Sequence, residues 1–133
     1  YLLMERLLAE GYDILLETSG SLPVDRVPER VIRIIDIKCP DSGESERVCW
    51  GILDHLRSTD EIKFVVASRQ DYEWAREVIE RYRLLSRVTV LMGVAFGRLE
   101  PVVLAEWIME DRLGVRMQLQ MHKYIWDPAM RGI

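Results

Sequence analysis

The segment Glu61–Met92 reads EIKFVVASRQDYEWAREVIERYRLLSRVTVLM. It opens on Glu61–Ala67 (EIKFVVA), a short apolar run rich in β-branched residues, which predicts a strand. Ser68 follows as a helix N-cap, with Asp71 three residues on as a capping-box partner. Tyr72, Ala75, Val78, Ile79 and Tyr82 then form one apolar helix face, while Glu77 and Arg81 pair at i, i+4 on the other. Arg87–Met92 (RVTVLM) is the next strand. Strand, helix and strand in succession predict parallel pairing through a right-handed crossover.

The alternation extends in both directions. Upstream, Leu2–Glu10 carries Leu3, Leu7 and Leu8 at helical spacing and is closed by Gly11. Tyr12–Glu17 reads as a buried strand, ended by the loop residues Thr18–Ser21 (TSGS). After Pro23 and Pro28, Val31–Lys38 (VIRIIDIK) is the second strand; Cys39–Ser45 is a loop, and a helix spans about Val48–Arg57 with Ile52, Leu53 and Leu56 inward. Downstream, Gly93–Arg98 is a loop, Pro101 starts a helix running to about Arg112, Gly114 stops it, and Val115–Gln120 is the fifth strand. Met121–Ile133 reads as an irregular tail. The fold class is α/β, a parallel sheet with helical crossovers: part of a barrel or a doubly wound sheet. Its near-continuous apolar strands suggest cover on both faces.

With 133 residues, 49 % hydrophobic and 30 % charged, the chain has globular composition and reads as one domain, residues 1–133. No apolar run approaches the ~20 residues of a membrane helix, so no membrane partner is expected. Lys plus Arg total 18 against 22 Asp plus Glu, a net charge of −4, which argues against a general nucleic-acid binder. Trp50, Trp74, Trp107 and Trp126 have no basic stripe between them and read as packing residues. Only three cations are lysines, Lys38, Lys63 and Lys123. Cys39 and Cys49 are too few for a disulfide scaffold or a four-cysteine metal site, and read as reduced thiols of a cytoplasmic protein. No signal peptide is visible, and the opening Tyr1 suggests a fragment whose upstream part has been cut away.

In parallel α/β folds the chemistry gathers at the carboxyl ends of the strands. Polar residues fall there repeatedly: Glu17-Thr18-Ser19-Gly20, then Asp36 and Lys38, then Gln118, Gln120, His122 and Lys123. Each has a plain structural alternative. Thr18–Gly20 is turn chemistry, Asp36 and Lys38 alternate on one strand face and suit an ion pair, and His122 suits a hydrogen-bonded structural histidine. Dinucleotide, phosphate-loop, zinc-protease and nucleophile-elbow motifs are absent. His55 reads as a surface residue, and no His or Cys stands at ligand spacing from either cysteine.

LETSG (Leu16–Gly20), DIKCPDSGE (Asp36–Glu44), EIKFVVASRQDYEWA (Glu61–Ala75), FGRLEP (Phe96–Pro101) and QLQMHKYIWDPAMRG (Gln118–Gly132) occur in that order. Together they resemble the 7-carboxy-7-deazaguanine synthases, radical S-adenosylmethionine enzymes of queuosine and deazapurine biosynthesis. The resemblance covers essentially the whole chain but lacks the family's N-terminal part. It implies the C-terminal portion of a partial (β/α) barrel. It also implies a carbon–nitrogen lyase that contracts 6-carboxy-5,6,7,8-tetrahydropterin to 7-carboxy-7-deazaguanine and releases ammonia. In the family a reduced [4Fe–4S] cluster cleaves S-adenosylmethionine to a 5′-deoxyadenosyl radical, with Mg²⁺ assisting. The cluster cysteines would lie outside this chain, with no metal ligand inside it and the 133 residues alone inactive.

Residue by residue, the resemblance gives Gly20, Asp36 and Lys38 to the cofactor, and Met92–Ala95 to a further cofactor wall through backbone. It gives Thr18, Gln120, His122 and the terminal Ile133 to the pterin substrate. All but Ile133 should then share one end of the sheet. The resemblance leaves a homodimer open. Other readings are a non-catalytic ligand- or partner-binding α/β module and a radical enzyme with another substrate.

Overall fold

A computed structural model of the chain describes residues 1–130. Helix α1 (Leu2–Ala9) leads to strand β1 (Leu15–Thr18) and, after a long loop, to β2 (Ile32–Lys38). Short 3₁₀ turns at Pro40–Ser42, Ser45–Arg47 and Trp50–His55 precede β3 (Glu61–Val66). Then follow α2 (Arg69–Arg81), β4 (Thr89–Val94), α3 (Pro101–Glu110), β5 (Arg116–Met117) and a single helical turn α4 (His122–Ile125). The five strands form one all-parallel sheet in the order β1-β2-β3-β4-β5.

Among the described residues the strand order shows no reversal of the kind a doubly wound sheet has at its switch point. Successive crossovers of one hand put every connection on the same face. Burial agrees. Arg33, Ile35 and Ile37 of β2, Ile62, Phe64 and Val66 of β3, and Val90, Met92 and Val94 of β4 all point to one buried side. There they pack with Tyr72, Ala75, Val78 and Ile79 of α2 and Leu104 of α3. On the opposite face stand Glu17, Asp36, Lys38, Glu61, Lys63 and Thr89. Within the described residues only one face of the sheet is covered by helices, where cover on both was expected. The apolar runs supply one core face, while the alternating charges supply an open polar one.

Several boundaries differ from the sequence reading. The helix expected over Val48–Arg57 is a set of 3₁₀ turns, although Ile52 and Leu53 are buried as expected. The reason lies in the backbone hydrogen bonds and a buried ion pair that hold this stretch to the loop before β2. Cys49 N–H donates to the Gly20 carbonyl at 2.8 Å, and the Arg57 guanidinium donates to the carbonyls of Val27, Pro28 and Glu29. Gly93 belongs to β4 and not to the following loop. A Cβ there would stand 2.5 Å from the Gln118 carbonyl oxygen, so only glycine lets the chain after β5 lie against β4. Strand β5 is two residues long, not six, and His122 begins a helical turn instead of an irregular tail. Helix α3 ends at Glu110, and the left-handed residue past its end is Arg112 (φ 49°), not Gly114.

The Ser68 cap is present, its Oγ accepting from Asp71 N–H at 3.2 Å. The Asp71 carboxylate does not complete a capping box. It accepts from Ala67 N–H (3.0 Å) and from Asp41 N–H (2.9 Å), joining the loops that follow β2 and β3. The exposed pair on α2 is Arg69–Glu73, not Glu77–Arg81. The Tyr72 hydroxyl ties α2 to α3 through Trp107 O (2.9 Å) and Asp111 Oδ2 (2.8 Å). Burial and the Asp111 bond push its pKa up to about 12.

Strand β1 departs from the reading of a buried strand but matches the bare first edge expected of a chain whose upstream part is cut away. It pairs only with β2, and Leu15 is 60 % exposed, so it is a bare edge strand and not a buried one. Tyr1, Leu2, Leu3, Tyr12 and Leu22 around it are also exposed. Unpaired strand edges flanked by apolar side chains template association. These 133 residues expressed alone are expected to self-associate in size-exclusion chromatography with light scattering. A monodisperse monomer at high micromolar concentration would contradict this.

Candidate functional site

Strand alternation builds the site. On β2, Ile35 and Ile37 face the core, so Asp36 and Lys38 face the open side, near the carboxyl end of the strand. The parallel register sets Lys63 of β3 beside Asp36 and Val65 beside Lys38. Glu17 of β1 reaches the same face and accepts from Lys63 Nζ at 2.7 Å. Lys38 Nζ donates to Asp36 Oδ2 at 2.6 Å. Asp36 is 9 % exposed, and its other oxygen, Oδ1, is buried with no hydrogen-bond partner among the described residues. A buried carboxylate oxygen left this way carries a desolvation cost that a donor from a bound molecule would remove.

Two cavities open on this face. One, of about 370 Å³, is lined by Asp36, Lys38, Lys63, Arg98, Gln120 and Lys123, with Cys39, Asp71 and Phe96 in its wall. The other, of about 330 Å³, is lined by Glu17, Lys63, Gly93, Val94, Gln120 and His122. Both fall within the usual range for small-molecule sites, about 300–1,000 Å³. All three lysines of the chain meet in the first cavity, whereas its fifteen arginines serve mainly elsewhere. Lys123 sits 5.6 Å from the Phe96 ring centre, and Phe96 meets Tyr124 edge-on.

Of the residues singled out in the sequence, Asp36, Lys38, Gln120 and His122 converge on this pair of cavities. Asp36 and Lys38 also form the ion pair that was the plainer alternative. Thr18 and Gly20 line neither cavity. Thr18 Oγ1 accepts from Gly20 N–H at 3.3 Å, a local turn. Gly20 has φ 67°, and a Cβ there would meet Ile35 Cγ2 at 3.1 Å, so the structure itself requires glycine at this position. Ile133 lies outside the described residues. Gly93 and Val94 line the smaller cavity and Ala95 the larger. Glu17, Lys63, Lys123 and Arg98 received no role from the sequence reading. The scarcity of lysine pointed at Lys63 and Lys123, and position at a strand's carboxyl end pointed at Glu17 and Lys123.

The cysteines stand apart from each other, Cys39 buried and Cys49 half-buried, both unpaired. Burial, together with the nearby carboxylates of Asp71 and Asp36, pushes the Cys39 thiol well above its ordinary pKa and keeps it protonated. Among the described residues no group of three or more His, Cys, Asp or Glu side chains is placed to hold a metal ion. No helix is long and apolar enough to cross a membrane.

No family model matches the chain. Curated relatives do. One from Chlorobaculum tepidum is 50 % identical over 90 % of this chain and 56 % of its own length. A second, from Koribacter versatilis, is 43 % identical over 98 % of this chain and 63 % of its own. A third, from Methanospirillum hungatei, is 34 % identical over 95 % of this chain and 52 % of its own. All three are named 7-carboxy-7-deazaguanine synthase. The chain is a homologue of the 7-carboxy-7-deazaguanine synthases. It spans little more than half the length of these synthases, so the polar strand ends described above are one part of what a full-length synthase contains. The resemblance read from the motifs is thereby shown, and so is the α/β class with an all-parallel sheet.

Proposed function

We propose that the chain is the C-terminal portion of a radical S-adenosylmethionine 7-carboxy-7-deazaguanine synthase. The whole protein would be a carbon–nitrogen lyase of the cytoplasm that converts 6-carboxy-5,6,7,8-tetrahydropterin to 7-carboxy-7-deazaguanine and ammonia. The observation that carries this reading is the identity to synthases of that name over nine tenths or more of the chain. The single-faced strand order supports a wall of a partial (β/α) barrel, in which the open polar face would line the interior.

The residues fit the proposed cofactor, S-adenosylmethionine. Asp36 Oδ1 is a buried acceptor in need of a donor, which a ribose hydroxyl supplies, and Lys38 can hold a carboxylate. When bound, that cofactor supplies hydrogen-atom abstraction from the pterin. The chain's own residues would orient it: Asp36 and Lys38 from β2, with Gly20 shaping the turn behind them. Gln120 and His122 border the smaller cavity and would face the substrate, with Thr18 and Ile133 assigned to it by resemblance alone. A [4Fe–4S] cluster would not be held here, because the chain has only two cysteines and they stand on separate turns. Its ligands, and Mg²⁺, are placed with the residues outside this chain.

The test is anaerobic turnover. Full-length protein with reconstituted cluster, S-adenosylmethionine and 6-carboxy-5,6,7,8-tetrahydropterin should yield 7-carboxy-7-deazaguanine by mass spectrometry, and the 133 residues alone should yield none. Cleavage of S-adenosylmethionine with the pterin untouched would overturn the substrate assignment in favour of another radical enzyme. The absence of both would favour a non-catalytic binding module.

A further inference from the structure

The wall of the larger cavity comes from the loops after three adjacent strands: Cys39 and Ser42 after β2, Ala67 and Asp71 after β3, Ala95 and Arg98 after β4. Loops at strand ends are mobile unless their backbone is held. One carboxylate holds two of these. Asp71, 1 % exposed, accepts from Ala67 N–H on its own loop at 3.0 Å. Its other oxygen accepts from Asp41 N–H at 2.9 Å, 30 positions earlier and in the loop after β2. Asp41 extends the link, because its carbonyl and carboxylate take the Arg98 guanidinium of the third loop at 3.3 and 3.4 Å. Ala95 N–H ties that third loop back to β3 through the Val66 carbonyl at 2.8 Å.

Helix capping does not account for this arrangement. Ser68 already caps α2, and a carboxylate completing the box would turn back to the Ser68 N–H. Asp71 turns instead to Ala67 and across to Asp41. Burying a charge is unfavourable, and a cap alone does not require it; two charge-assisted N–H bonds offset that cost. We propose that Asp71 is a positioning residue, which clamps the loops after β2 and β3 together and so fixes the cavity wall and the placement of Lys38 toward a bound ligand. That the ligand is S-adenosylmethionine rests on the reading above. Lys38 lies three residues before the amide that Asp71 holds. Without the clamp that amide loses its partner, and the turn Pro40–Ser42 can leave α2 and draw the end of β2 with it.

The test compares Asp71→Asn with Ser68→Ala in the full-length protein with its cluster reconstituted. Asparagine keeps the size of the side chain but turns an N–H donor toward one of the two amides. Ser68→Ala loosens the same end of α2 and leaves the loop after β2 bonded. Both variants should lower Tm. Only Asp71→Asn should speed amide hydrogen exchange at residues 40–43, by about tenfold or more. Only Asp71→Asn should also raise the Kd for S-adenosylmethionine, by about 10-fold, as expected when a group that orients ligand-contacting residues is lost. Asp71→Ser, one atom shorter, keeps an acceptor on α2 and gives up the reach to Asp41; it takes the place of Asp71→Asn if that protein does not fold. Wild-type affinity in the Asp71 variant, or an equal loss of affinity in Ser68→Ala, would overturn the positioning role and leave Asp71 a contributor to stability. A wild type that binds no S-adenosylmethionine would overturn the cofactor reading, whereas the loop clamp stands or falls on exchange at residues 40–43.

Discussion

Replacing Asp60 with alanine is expected to destabilise the fold by about 3–5 kcal/mol, the cost of removing one partner of a buried ion pair. Arg33 and Asp60 are 1 % exposed and lie inside the core, on the apolar face of β2 and at the entry to β3. Their side chains make a two-pronged contact, with Arg33 Nε donating to Asp60 Oδ1 at 3.0 Å and Nη2 to Oδ2. Arg33 N–H and Arg57 N–H also donate to that carboxylate, and Arg33 Nη2 reaches the His55 carbonyl at 2.8 Å. Every strong donor and acceptor of the pair is therefore engaged. Alanine at position 60 leaves a buried guanidinium uncompensated and frees the Arg57 turn. A domain of this size has about 5–15 kcal/mol in all, so the loss is a large share. Urea unfolding followed by tryptophan fluorescence measures it. The double change Arg33→Met with Asp60→Leu should recover much of the stability, since an apolar pair of similar volume has no charge to solvate. A single-variant loss under 1 kcal/mol would show that the pair is not what staples the loop before β2 to the 3₁₀ turns.

The second large effect concerns Lys38 in the full-length protein. Lys38→Met keeps the apolar stem and removes the charge. Loss of a charge-assisted hydrogen bond in a partly buried site costs about 1.5–3 kcal/mol of ligand binding, roughly a 10- to 150-fold rise in the Kd for S-adenosylmethionine. The geometry adds a second consequence. Among the described residues one Asp36 oxygen has no partner, and Lys38 is the only side chain bonded to the other. The single variant should therefore also lower Tm. Lys38→Met combined with Asp36→Asn should restore Tm, because no buried charge remains, and should not restore affinity. Calorimetric titration and thermal melts on both variants separate the two contributions. Unchanged affinity with a large fall in Tm would reduce Lys38 to a structural counter-ion of Asp36.

The arrangement of the chain was largely legible beforehand because parallel strands and amphipathic helices are written in local periodicity. Ser68 capping α2, Pro101 opening α3, and the alternation of Ile35 and Ile37 with Asp36 and Lys38 are statements about neighbours in sequence. The composition flagged the lysines, and the order of motifs carried the family. Other features depend on residues far apart. Strand β1 read as buried because Ile14, Leu15 and Leu16 are apolar; its bare edge was expected only from the motifs missing upstream, since what lies beside a strand leaves no local period. The polar face looked like three separate strand ends until the register set Lys63 beside Asp36 and Glu17 within 2.7 Å of Lys63. Arg33 lies within a strand predicted from sequence and Asp60 just before another, and neither drew a role from the sequence. They are 27 positions apart, and only folding pairs them in the core. Glycine at 93 is demanded by the Gln118 carbonyl and not by its own φ. Hydrophobic periodicity thus determined the elements and their faces from sequence alone. Tertiary structure decided which charges meet, because an ion pair between distant residues leaves no period to read.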